Sequence, residues 1–151
     1  VPSGGNGFAM KKDVMITITG TQDVDGEVEL IELTTEASLY NKGNALYIRY
    51  QETEITGFEG MTTTVKAEGD QRVTMIRHGA NQTQLVIEKG RRHQCSYATG
   101  YGDVMLGITG STIVNTLSEE GGELFFRYSI DLNTAVTSEN TVKISMAAPI
   151  C

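Results

Sequence analysis

The sequence predicts an all-β protein, most simply an antiparallel up-and-down β-barrel, with a two-sheet sandwich as the second arrangement. Three observations carry this. Apolar residues recur at every second position in segment after segment, as on strands with one buried face. Short turns rich in Gly, Asn and Asp join the segments and leave no room for crossover helices, so consecutive strands should pair antiparallel. A meander of about nine to eleven strands with no helix would expose two edges, and pairing the first strand with the last removes them.

Each element follows from its own residues. Over 13–22, Val14, Ile16 and Ile18 alternate with Met15, Thr17 and Thr19, a β-branched run that favours strand. Asp25-Gly26 supplies a turn, and 27–40 reads as a second strand whose alternation slips between Leu30 and Ile31, where a bulge is expected. Residues 41–44 turn the chain into 45–52, and a Gly-bounded loop at 57–60 leads into 61–68. Gly69-Asp70 and Gly79-Ala80-Asn81 separate strands at 72–78 and 82–88. Gly90 is expected to open a hairpin into the Cys95 strand.

Cys95, Tyr97 and Thr99 share one strand face, Tyr101 sits in the Gly-rich turn, and Val104, Leu106 and Ile108 face one way after it. Residues 111–118 read as strand continuation or an irregular cap: Ile113 and Leu117 stand at helical spacing, but Thr112, Ile113, Val114 and Thr116 are β-branched. The cleanest alternation is Leu124, Phe126, Tyr128, Ile130 and Leu132, followed by a last strand at 140–146.

With 151 residues the chain suits one domain that buries roughly two thirds of its unfolded surface. Residues 1–9, with three Gly and no charge, read as a vector-derived remnant, and 10–151 as one barrel domain. No apolar run approaches a membrane span, and no signal-peptide core follows Lys11-Lys12, so the cytoplasm is the expected compartment. A net charge of -7 repels phosphate backbones and anionic membranes, which argues against nucleic acid or membrane as partner. The basic cluster Lys89-Gly90-Arg91-Arg92 reads as a solvated turn.

Motifs for chemistry are sparse. His78 and His93 are the only histidines, and no His-x-x-x-His or Cys-x-x-Cys spacing exists, so neither metal nor cofactor is expected. Cys95 near His93 lacks an identifiable third group to orient a base, and there is no Gly-x-Ser-x-Gly elbow. Glu52 or His78 at the barrel mouth is the residual case for an enzyme.

More informative is Arg77, on the face of Val73 and Met75. Pointing inward, it would project a cation among the hydroxyls of Tyr50, Tyr97, Thr99, Tyr101 and Tyr128, with Glu52 nearby, as small-ligand sites are built. The competing view is an Arg whose stem packs and whose head reaches the rim. The leading expectation is thus a non-enzymatic small-molecule binder, with Arg77 orienting an anionic or carbonyl group. The alternative is a filled barrel that docks a partner or forms a homodimer, prompted by Phe125 on the face opposite Leu124 and Phe126.

Tyr50-Gln51-Glu52, Gly60 with Thr62, Thr63 and Thr64, Arg77-His78-Gly79, Thr99-Gly100-Tyr101-Gly102, the strand Leu106 to Thr109, and Tyr128 together resemble the YwiB-like family of uncharacterised β-barrel proteins. That family is placed in the calycin, or lipocalin-like, group. The likeness spans roughly residues 14–146 and keeps the order of elements. It implies a closed or nearly closed barrel of cytoplasmic bacterial origin, and no particular activity.

Overall fold

The computed structural model describes residues 11–56, 58–80, 82–99 and 102–147. They form ten strands: β1 Lys12–Val24, β2 Glu27–Lys42, β3 Ala45–Gln51, β4 Thr62–Glu68, β5 Arg72–His78, β6 Thr83–Glu88, β7 Arg92–Thr99, β8 Gly102–Asn115, β9 Gly122–Leu132 and β10 Ala135–Met146. One sheet holds them all in the order β6-β5-β4-β3-β2-β1-β10-β9-β8-β7, every neighbouring pair antiparallel. First and last strands pair, Ile16 opposite Met146 and Ile18 opposite Ile144, and the result is a nearly closed barrel. No helix among the described residues is long and apolar enough to cross a membrane.

Register decides the inside. Ile18, Leu33 and Ile144 meet across three strands, as do Leu39 with Ile48 and Ile48 with Val65, so the period-two residues of each strand converge on one core. Phe126, Leu124, Leu39, Ile87 and Ile108 are wholly buried there, each contributing about 1.5–3 kcal/mol of transfer free energy. On the outside, Arg92 Nε and Nη2 donate to Asp131 at 2.9 and 2.7 Å, bracing β7 to β9 across β8. Gly107 leaves room for that guanidinium, since a Cβ there would fall 2.2 Å from Arg92 Nε.

Three expectations need correction. The chain turns at Gly90, but β6 and β7 do not pair along their length: only Glu88 and Arg91 bridge. Gly90 N donates to Gly110 O at 2.9 Å and Lys89 N to Gln71 O at 2.9 Å, so the turn is pinned to its neighbours while its two strands part above it. A seam of about 340 Å³ lies between them, lined by Thr83, Gln84, Val86, His93, Gln94 and Cys95.

The slip near Leu30 is not a bulge either. The β1–β2 register runs unbroken from Val24 opposite Glu27 to Lys12 opposite Leu39. Residues 27–32 are exposed on both faces because the β1–β2 ribbon rises beyond the barrel, where alternation has nothing to face. True register shifts fall at Gly110/Thr112 and Val136/Ser138. Finally, β10 begins at Ala135, earlier than its apolar pattern, after a turn in which Asn133 and Thr134 adopt positive φ. The 111–118 stretch continues β8 to Asn115 and then turns.

Candidate functional site

The upper end of the barrel carries the turns after β1, β3, β5, β7 and β9. Tyr50 stands opposite Thr63, and Thr63 opposite Arg77, so the pleat sets all three side chains on the inner face of β3, β4 and β5. Past β3 the chain enters a loop whose ends are tied by Glu52 N donating to Met61 O at 2.9 Å and Met61 N to Phe58 O at 3.0 Å. That loop returns Glu52 and Phe58 over the mouth.

Glu52 is the hub. Its side chain is 1% exposed and lies 3.6 Å (Oε2) from Arg77 Nε. Thr63 donates to the same Oε2, and Thr56 Oγ1 donates to Oε1 at 2.8 Å. Burial pushes the Tyr50 phenol well above its ordinary range, and the Glu52 carboxylate beside it pushes the same way while Arg77 opposes. Tyr128 is also raised, chiefly by burial and against the pull of Arg77.

Arg77 lies with its Cζ 4.1 Å from the centre of the Phe58 ring, a cation–π contact. Its Nε is buried with no hydrogen-bond acceptor, 3.6 Å being a charge contact only. The side chain as a whole remains 21% exposed. The site therefore fixes a guanidinium at a partly open mouth, its Nε beside the Glu52 carboxylate and its plane's centre against the Phe58 ring.

Of the residues singled out in the sequence, Tyr50, Glu52, Arg77 and Tyr128 come together here. Tyr97 and Thr99 occupy β7 opposite Val104 and Gly102; only their backbone is described. Tyr101 lies outside the described residues. Sequence reasoning missed Thr63, although it shares a period-two face with Val65 and Ala67, and missed Thr56 and Phe58, whose places depend on how the loop folds back.

Elsewhere the candidates stay dispersed. His78 is exposed at the end of β5. His93 does gain a third group, its Nε2 lying 2.8 Å from Glu88 Oε1, but no hydrogen bond joins it to Cys95 among the described residues, and burial pushes that free thiol up. A raised thiol is not a primed nucleophile. No group of three or more His, Cys, Asp or Glu among the described residues is placed to hold a metal ion. Phe125 is half-buried between Val114 and Lys143 on the outer face.

A family model described as a domain of unknown function, DUF1934, matches residues 16–144. The chain belongs to the DUF1934 family. Among curated proteins, this DUF1934 chain is similar to the uncharacterised β-barrel protein YwiB of Bacillus subtilis strain 168, 29% identical over 124 residues that cover 80% of this chain and 84% of that one. The crystal structure of the B. subtilis YwiB protein superposes with a TM-score of 0.77 at 23% identity, covering 93% of this chain and 94% of the other. Both bear out the YwiB-like barrel fold for this DUF1934 member.

Proposed function

We propose that this DUF1934 protein is a non-enzymatic binder of a small molecule that presents an anionic or carbonyl group to Arg77 at the upper mouth of the barrel. The compartment we assign is the bacterial cytoplasm, on the resemblance given above. One observation carries the reading: a guanidinium fixed from behind by Glu52 and Phe58, with its side chain still partly exposed at the mouth. Pre-set donors of this kind bind an acceptor without ordering a free side chain. The interior is filled by Phe126, Leu124, Ile108 and Ile87, so the ligand belongs at the mouth beside Arg77 and not inside the barrel.

Native mass spectrometry of protein purified from cells, set against the denatured chain, tests this. We expect an added mass that denaturation releases and that Arg77→Met protein lacks. An Arg77→Met variant carrying the same added mass, or a bare protein that takes up no carboxylate or carbonyl compound from a screening panel, would overturn the reading.

A further inference from the structure

The upper edge of β2 is built to receive another strand. β3 stops at Gln51, and the last pairing of β2 with it below that step is Ala37 with Tyr50. From 36 back to 27, β2 is bonded to β1 on one side, with no strand on the other among the described residues. At roughly 3.3 Å per residue this free edge runs about 30 Å.

Its side chains are those of a docking strand. Val28 and Leu30 are 62% and 67% exposed on the outer face, and Ile31 is 37% exposed on the inner one. Beside the end of β3 lies a hollow of about 470 Å³ lined by Lys11 and Asp13, by Thr35 and Glu36 on β2, and by Arg49 and Tyr50 on β3, a mixed set of cations and carboxylates. A strand added along β2 in line with β3 would have the hollow at its lower end.

Charge selects the occupant. Glu27 and Glu29 share the face of Ile31, Glu32 shares that of Val28 and Leu30, and none of the three is in an ion pair among the described residues. Asp23 lies opposite both Val28 and Glu139, which adds carboxylates to the same end of the molecule. Charges on an edge keep like edges apart, and a second copy of this strand would bring the same three glutamates.

We propose that this edge binds an extended basic segment of a partner protein, added as a strand antiparallel to β2. Backbone hydrogen bonds to residues 27–36 supply most of the affinity, while Lys or Arg facing Glu27 and Glu29 and apolar residues on Val28 and Leu30 set sequence preference and approach. The edge from 27 to 36 shares no residue with the mouth, the hollow below it touching only Tyr50, and the proposal does not rest on the ligand reading.

The probe is a ten-residue peptide alternating Lys and Val, with a Glu/Val peptide as control and amide hydrogen exchange as the readout. We expect the Lys/Val peptide to protect alternate amides between 27 and 36, to weaken as salt rises, and to lose at least tenfold in affinity to the exposed-site variant Glu29→Lys. Protection confined to the β6–β7 seam, equal binding of the Glu/Val peptide, or no protection at all overturns the proposal. So does protection of the same amides in peptide-free protein that sediments as a dimer, because a second copy would then be the occupant.

Discussion

Glu52 joins three stretches of chain with one carboxylate: the 52–61 loop through Thr56, β4 through Thr63, and β5 through Arg77. Removing one member of a buried charged pair leaves the other uncompensated, which costs several kcal/mol where both are fully buried. Arg77 is partly exposed, so Glu52→Ala should lower unfolding free energy by about 2–3 kcal/mol in urea titrations. The double variant Glu52→Ala, Arg77→Met should be more stable than Glu52→Ala alone; additive losses would show that the pair is not coupled. Tyr50 adds a pH dependence. Its folded-state pKa is raised, so its contribution is intact below about pH 10, the unfolded value, and drains away as pH rises towards the folded one. Wild-type protein should therefore lose stability above about pH 10, and Tyr50→Phe should lose less; identical alkaline profiles would place the effect elsewhere. The inward tyrosines and Arg77 were legible because period two assigns faces without any tertiary knowledge. Phe58 and Thr56 were not, because a loop has no period and only Glu52 N bonding Met61 O brings them back.

Among the elements, β6 and β7 show where local pattern stops deciding. Gly90 with its flanking Lys and Arg has the chemistry of a hairpin turn, and it does turn the chain. The turn is held from outside the hairpin by Gly110, whose carbonyl accepts from Gly90 N and which bridges to Lys89. That contact requires a bare Cα: a Cβ at 110 would stand 2.7 Å from Glu88 O, which is backbone and cannot swing aside. Gly110→Val should therefore cost about 1–3 kcal/mol through overpacking. Hydrogen exchange should quicken in Thr83–Glu88 while β10 stays protected by β1 and β9. Uniform loosening of all ten strands would mean that the turn is not a separable anchor. The alternation in β2 failed for a different reason, since Val28, Leu30 and Ile31 lie beyond the barrel and no core selects a face. By contrast, the β-branched Thr112, Ile113 and Val114 did announce the continuation of β8, because that stretch still pairs with β9 on the barrel wall.

At the scale of the molecule, the chain closes its barrel by its most distant pairing. β1 and β10 lie at opposite ends of the sequence, yet Ile16 meets Met146 and Ala147 N donates to Met15 O at 3.1 Å. Among the described residues the sheet breaks between β6 and β7, neighbours in sequence joined by a three-residue turn from 89 to 91. Sequence connectivity and sheet connectivity are thus cut in different places. Pairing strands separated by the whole chain requires closing a very long loop before the contacts reward it, and folding rates fall as such contacts dominate. A circular permutant that joins residue 147 to residue 11 through a short Gly/Ser linker and opens at Gly90 would run β7 to β10 and then β1 to β6. Each of the nine strand pairings would then connect sequence neighbours. The permutant gives up the turn bonds from Lys89, Gly90 and Arg91, so it should be less stable by roughly 1–3 kcal/mol, at about 1 kcal/mol per lost hydrogen bond. It should nevertheless refold faster in stopped-flow experiments, because β1–β10 has become a hairpin. Slower refolding would place the rate-limiting step at the β6–β7 turn, and the seam would then be the nucleus of the barrel and not its last, unclosed joint.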